Sequence, residues 1–588
     1  MNRNIRRALN LLLILPLLLA ACTGTKVTPS VEPTTPTSSS TLPPTEIPPT
    51  LIPTPSGPVP VGAITGMPKG SQGFPWWDDC VFYEVFTRSF FDSNGDGIGD
   101  FNGMLQKLDY LNDGDPSTNT DLGVTCLWLM PIFPSPSYHG YDVTDYYNVN
   151  PDYGTLDDLK KLVEEAQKRG IRVILDMPLN HSSSEHPWFK QAQDPSSPYR
   201  DWYIWSDTDP GYLGPWGEQV WHPSPDGKGY YYGVFVDTMP DLNYRNPKVV
   251  EEMNKLVKFW LEEVGVDGFR IDGARHIVEE GKMMADAPSN HEWFKQLRSY
   301  VKSFSPDALL LGEVWTSDFA VSTYVKGDEL DLAFDFDLAN AMMTSANAGN
   351  AEKVNNQLTF SLKTLPNGFS APFLTNHDMD RVISQLGGDV EKAKNAAAML
   401  MTASGAPIIY YGEEIGMSGS RGSENNDISR RLPMQWSAEN NAGFTTGTPW
   451  APVYPFYTQT NVAVESTRPE SLLAFYQNLI QIRNQHVALR VGETFKVNSS
   501  QNAVYAILRS SDEEQMLIVV NLANQAQDNV TLSLDSGPLK GAYRLLPVLG
   551  EGEFPNLEAN ASGGFDSYQP QPSLPPNARL ILHLQPIN

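Results

Sequence analysis

The chain has 588 residues, 40% of them apolar, enough for a large buried core and about three domains' worth of protein. Its formal charge of −27, with no basic stripe, argues against nucleic acid as a partner. Three cysteines exclude a disulfide-dense scaffold, and their spacing does not suit zinc.

At the N-terminus Arg3, Arg6 and Arg7 precede an apolar stretch from about Leu9 to Ala21. That stretch is too short to span a bilayer comfortably, so residues 1–21 read as a signal peptide. It ends in Leu19, Ala20, Ala21 and Cys22, which resembles a bacterial lipobox and makes Cys22 the expected site of lipidation. Ordinary cleavage at a small-residue site is the alternative. Residues 22–70 are rich in Pro, Thr and Ser and bury too little apolar surface to fold, so they read as a stalk. Leader, lipid anchor and stalk together predict an exported protein tethered to a cell membrane and facing outward, in the extracellular space or a periplasm.

From about residue 80 apolar strands alternate with amphipathic helices. Cys80–Phe86 and Val124–Met130 read as strands. Cys80 and Cys126 begin them; the two could pair in an oxidising compartment or remain buried free thiols. Thr155 is an N-cap for a helix whose apolar face is Leu156, Leu159, Leu162, Val163 and Ala166, and Gly170 ends it. Ile171–Asp176 is the next strand. Asn246 and Pro247 are a cap and first position for a helix striped by Val249, Val250, Met253, Leu256, Val257, Trp260 and Leu261 and closed by Gly265. Further strands are expected at about 266–272, 308–314, 331–336, 370–376 and 407–411. Eight strand-and-helix units predict an α/β fold, a (β/α)8 TIM barrel over residues 71–179 and 241–489. Residues 180–240 are too long for a structureless loop and read as a small inserted domain. After about 490, alternating runs such as Ala503–Leu508 and Met516–Val520 predict a C-terminal antiparallel β-sandwich over 490–588.

Active sites of such barrels lie at the C-terminal ends of the strands. Polar residues end several of these apolar strands: Asp176, then Arg270 and Asp272, then Glu313, then Asn376, His377 and Asp378. Like charges gathered at one mouth raise at least one pKa, which a structural protein avoids. A glycosidase needs the arrangement: one ionised carboxylate as nucleophile and one protonated carboxyl as acid.

These residues sit in motifs that resemble glycoside hydrolase family 13, the α-amylase family, over roughly residues 75 to 588. The motifs run in order: Asp176 to His181, Met239 to Asn243, Gly268 to His276, Gly312 to Trp315, and Phe373 to Asp378. The segments Ser137 to Asp142, which includes His139, and Gly405 to Glu414 also match. The chain looks closest to lipoprotein-type or intermediate α-amylases. The resemblance implies a retaining glycosidase with Asp272 as nucleophile, Glu313 as acid and base, and Asp378 as stabiliser of the distorted sugar, the two main carboxyls about 5–5.5 Å apart. It implies substrate-binding roles for Tyr141, His139, Asp176, His181, Arg270, Arg275, His276 and His377. Arg270 would keep Asp272 ionised, and His181 and His377 would donate to sugar hydroxyls.

Asp92, Asn94, Asp96 and Asp100 place oxygen donors at alternate positions among glycines, as Ca²⁺ prefers. An EF-hand is not formed, since its twelfth position is Gly103. The segment resembles the metal loop after the first barrel strand in some family members, with a carbonyl from Ile98; a metal-free turn is the alternative. A possible second Ca²⁺ site is implied at Asn180 and the carbonyl of His276. The expected substrate is an α-glucan or maltooligosaccharide cut at internal α-1,4 bonds, favoured by the small Gly273 where α-1,6-specific relatives carry Val. An α-glucosidase or oligo-1,6-glucosidase, a neopullulanase or a 4-α-glucanotransferase is the alternative within the family. A non-catalytic starch-binding surface lipoprotein is the remote one.

Overall fold

The computed structural model describes residues 63–366, 368–422 and 427–587. The leader at 1–21, Cys22 and most of the 22–70 segment therefore lie outside the described residues.

Eight parallel strands form the central sheet: β1 (Phe82–Val85), β2 (Cys126–Leu129), β3 (Arg172–Met177), β4 (Gly268–Ile271), β5 (Leu309–Gly312), β6 (Leu332–Phe334), β7 (Ser370–Ala371) and β8 (Ile408–Tyr410). Each pairs with its sequence neighbour from β1 to β7, and β8 pairs with β1. A parallel bridge from Phe373 to Ile408 joins the segment after β7 to β8, so the sheet curls into a nearly closed (β/α)8 barrel. The strands are buried on both faces, which is why they read as apolar runs rather than alternating ones.

All the barrel strands but β3 are shorter than their apolar runs, and β7 most of all. Residues 370–376 promise a seven-residue strand, but the ladder stops at Ala371 because Pro372 has no N–H to donate. Its carbonyl still accepts from Ile408 N at 2.9 Å. Helix α1 (Leu156–Lys168) starts with a capping box between Thr155 and Asp158. Helix α2 (Pro247–Phe259) is capped by Asn246 and continues into a π-helical turn, Trp260–Val264. Gly265, at φ 84°, ends it in the left-handed conformation that glycine adopts at no steric cost.

Between β3 and α2, three short antiparallel strands, Trp205–Ser206, Trp221–Pro223 and Tyr230–Tyr232, form a small sheet. Beyond α2 and the remaining barrel units, the chain ends in a six-stranded antiparallel sheet facing a three-stranded one. The period-two pattern of its strands serves two cores. Val504, Ala506, Leu508, Leu517 and Val519 pack with Leu532, Leu534, Phe565 and Tyr568 between the sheets. Tyr505, Ile507, Met516, Ile518 and Val520 face the other way and join the core that includes the barrel. Cys80 and Cys126 are buried free thiols.

Candidate active site

Arg270, inside β4, organises the mouth of the barrel. It is fully buried, and its guanidinium meets three carboxyls from three strands. Nη1 donates to Asp176 Oδ1 at 2.8 Å and to Asp272 Oδ1 at 2.6 Å. Nη2 lies 2.9 Å from Glu313 Oε2, a close ion contact without the alignment of a hydrogen bond. Glu313 Oε2 instead accepts from Gly273 N at 3.0 Å. Asp272 follows the end of β4 and Glu313 the end of β5, so adjacent parallel strands hand both carboxyls to the same cation.

Asp378 reaches the same mouth from the segment after β7. Its side chain is 35% exposed, against 15% for Asp272 and 10% for Glu313, so it faces the opening. Arg431 Nη2 donates to its Oδ1 at 2.7 Å, and His377 Nε2 lies 3.2 Å from its Oδ2.

The three carboxyls differ electrostatically. Burial raises Glu313, with Arg270 opposing and Asp272 and Asp378 adding to the rise. Burial also raises Asp272, with Arg270 opposing. Burial acts the same way on Asp378, but the cations of His377 and Arg431 outweigh it and hold the carboxyl well below the usual range. Of the two main groups Asp272 has the short charge-assisted bond to Arg270, so it is the better carboxylate and Glu313 the better proton carrier.

The other expected substrate ligands divide. Tyr141, from the loop after β2, donates to Asp176 Oδ2 at 3.0 Å and stacks on His377 with centroids 5.6 Å apart. His139 sits next to it, its Nδ1 accepting from Tyr141 N at 3.2 Å. Asp176 is fully buried, with its oxygens taken by Arg270, Tyr141 and Trp128 Nε1 at 3.1 Å, so it braces the site rather than facing a ligand. His181 is also buried, its ring nitrogens 3.1 Å from Asn180 Oδ1 and from the Tyr141 carbonyl. His377 has both nitrogens against protein groups. In this arrangement the two histidines support the wall from behind and leave no ring nitrogen free for a sugar hydroxyl. Arg275 likewise turns away, pairing with Asp286 and donating to the Trp315 carbonyl at 3.0 Å. His276 Nδ1 lies 2.7 Å from the Met284 carbonyl, and its ring packs against Trp216 and Phe235.

The loop after β1 folds its oxygens together. Asp92 accepts from the backbone N–H groups of Asn94, Gly95 and Gly97 and from Thr445 Oγ1. Burial raises Asp92, but these bonds outweigh it and hold the group below its ordinary value. Asp96 accepts from Ile98 N and Asn94 Nδ2, and Asp100 caps the next helix through Gly103 N. The donor set is oxygen only, and Asn94 Oδ1, Asp96 and Asp100 Oδ2 each keep an acceptor position, so the chemistry suits a hard cation.

Four residues matter here that the motifs did not assign. Glu84, the one charged residue in the apolar run Cys80–Phe86, sits fully buried 2.5 Å from His377 Nδ1. A charge inside a barrel strand was the available signal. Arg431 follows β8 in a segment with no motif. Asp241 and Glu279 are buried beside Asn180, whose Nδ2 donates to Asp241 Oδ2 at 3.3 Å and to the His276 carbonyl. Burial pushes Asp241 up to about 7, while burial and the neighbouring Asp241 push Glu279 up well above its ordinary value. Glu279 Oε1 is a buried acceptor with no hydrogen-bond partner. Two acids and a carbonyl around an orphaned oxygen also fit a hard cation, which the Asn180 amide would join by turning Oδ1 inward in place of Nδ2.

The sequence model of the α-amylase catalytic domain matches residues 84–492. α-Amylase 3 of Dictyoglomus thermophilum is 40% identical over 457 residues, 76% of this chain and 85% of that one. The oligo-1,6-glucosidase of Parageobacillus thermoglucosidasius is 33% identical over 522 residues, 76% of this chain and 91% of that one. Among solved structures, the α-amylase from H. orenii superposes with a TM-score of 0.74 at 41% identity, covering 86% of this chain and 99% of that one. The trehalulose synthase from Pseudomonas mesoacidophila gives 0.73 at 30% identity, covering 87% and 100%.

Proposed function

The chain belongs to the α-amylase family, glycoside hydrolase family 13, and is a glycosidase; from that premise we propose that it is an α-amylase, cutting internal α-1,4 bonds of starch-like glucans with retention of configuration. The observation that carries the reading is the shared guanidinium: Arg270 holds Asp272 and Glu313 together at one mouth, as the carboxyl pair of a retaining glycosidase requires. Asp272 attacks the anomeric carbon. Glu313 protonates the leaving oxygen, then takes a proton from water as the glycosyl ester is opened. Asp378, open to the mouth and ionised, binds hydroxyls of the distorted ring and stabilises its developing positive charge. Tyr141 stacks on that ring.

Two features support internal α-1,4 cleavage. Gly273, directly after the nucleophile, has φ 50°, and a Cβ there would lie 3.0 Å from the Phe235 ring. Phe235, with Trp216 stacked on it, stands against the position where a branched residue would begin. A cavity of about 690 Å³ next to Trp315 and Met379 gives a chain room beyond the catalytic carboxyls. Greater identity to the two α-amylases than to the glucosidase or synthase points the same way.

Ca²⁺ would be held by Asp92, Asn94, Asp96, Asp100 and the Ile98 carbonyl, and a second ion by Asn180, Asp241, Glu279 and the His276 carbonyl. Its contribution is to fix loops; no chemical step passes through it. Cys22 would carry a lipid that holds the enzyme outside a membrane, in keeping with a polymeric substrate. No helix among the described residues is long and apolar enough to cross a membrane.

Reducing-sugar release and chain-length analysis on amylose test the reading. Random internal cuts are expected. Release of single glucose from chain ends overturns the endo assignment, and equally slow release by wild type and Glu313→Gln would leave only a starch-binding protein.

A further inference from the structure

Glu84 has no place in the chemistry just described, yet it is fully buried in β1 and aimed at the one residue that links Tyr141 to Asp378. The partners around His377 point to one state. Asp176 Oδ2, 3.0 Å from the Tyr141 hydroxyl, takes its proton in this arrangement, which leaves the Tyr141 oxygen, 2.7 Å from His377 Nε2, to accept. Asp378 Oδ2, 3.2 Å from the same nitrogen, is an acceptor too. Nε2 therefore carries a proton. On the other side Nδ1 faces Glu84 Oε1 at 2.5 Å. A carboxylate there requires a second proton on the ring.

We propose that Glu84 is a positioning residue that holds His377 as a doubly protonated imidazolium, and that this cation in turn keeps Asp378 ionised and aimed at the sugar site. The inference rests on the role given to Asp378 above. Other charges near the ring agree with it. Asp176, from β3, adds a third carboxylate to the field around His377. Arg431, from the segment after β8, is the opposing cation and donates from Nε to the His377 carbonyl at 3.1 Å. Tyr410 on β8 and Glu413 beyond it sense Glu84 from behind. Burial alone lowers a histidine, but Asp378 and Glu84 outweigh it and raise His377 to about 10. The rival arrangement has the proton on Glu84 and a neutral imidazole, which would halve the cationic support of Asp378.

Nitrogen NMR of histidine-labelled protein distinguishes the two, with the His377 signals assigned by loss in His377→Gln. In wild type both ring nitrogens are expected to report imidazolium from pH 5 to about 9. In Glu84→Gln, whose shape is preserved, His377 should titrate at least about one pH unit lower. Turnover on maltooligosaccharide should then fall about 10- to 100-fold above that midpoint, recover below it, and leave KM within about threefold. A neutral His377 in wild type at pH 7 overturns the proposal, whatever the variant does. So does a folded Glu84→Gln whose loss is equal at every pH. Full activity of Asp378→Asn would instead defeat the role of Asp378 while leaving the His377 titration readable.

Discussion

Asp272, Glu313 and Asp378 share one mouth but not one environment, and the difference predicts the pH profile. Glu313 works in the first step as an acid, so activity needs its protonated form. Burial lifts its pKa and Arg270 opposes the lift. Activity is therefore present below that raised value and lost as pH rises through it, giving the alkaline limb of kcat/KM. Glu313→Gln should remove the limb and lower kcat about 10²- to 10⁴-fold on starch. An unchanged alkaline limb in a variant of residual activity would mean another group supplies the proton. Asp378 stays ionised through the acid range because His377 and Arg431 flank it. Arg431→Met removes one of these cations, so Asp378 itself should protonate at higher pH, read by carboxyl-carbon NMR; an Asp378 titration that stays put refutes the pairing. The three carboxyls were legible in the sequence because each follows an apolar run. Arg431 was not, since only the fold brings its segment to the barrel mouth.

The elements themselves were legible to different degrees for identifiable reasons. Helices announced their ends through side chains that bond locally, such as Thr155 with Asp158 and Asn246 ahead of Pro247. Strand ends depend on neighbours, so apolar runs overshot the ladder and Pro372 cut β7 to two residues. The inserted segment showed no clear helical period, because its strands are only two or three residues long and ring contacts such as Phe189 on Trp205 and Trp188 against Trp202 help to hold it. Its acidic residues became meaningful only when Asp241 and Glu279 met Asn180. That cluster and the Asp92 loop predict a calcium-dependent melting temperature. Calcium at about a hundred times its Kd should stabilise the protein by about 2.7 kcal/mol per site, and chelation should reverse it. Asp96→Ala and Asp241→Asn should each remove one part of the response. Identical melting curves in chelator and in millimolar calcium would eliminate both sites.

At the scale of the molecule, the C-terminal sheets act as a cover for the barrel. Strands such as Val504–Ser510 are buried on both faces, one toward their partner sheet and one toward the barrel side. The join is also polar and internal. Arg509, fully buried, donates to the Thr402 carbonyl at 2.8 Å and to the Gly492 carbonyl at 3.0 Å. Arg579, on the last strand, donates to the Glu391 carbonyl at 2.9 Å on the barrel side. Taking the sheets away would uncover the apolar barrel surface that Tyr505, Ile507, Met516 and Ile518 pack against and leave the buried Thr402 carbonyl without its Arg509 donor. A chain ending at Val491 is therefore expected to aggregate or to melt well below the full-length protein, even though every catalytic carboxyl is retained. A soluble truncated chain with an unchanged melting temperature and unchanged kcat on starch would show that the barrel needs no cover. If it kept stability but lost affinity for long glucans alone, the sheets would be a substrate-binding module instead. The double-sided burial of their strands favours the cover, because a sheet face already packed against the barrel has no room to receive a sugar chain.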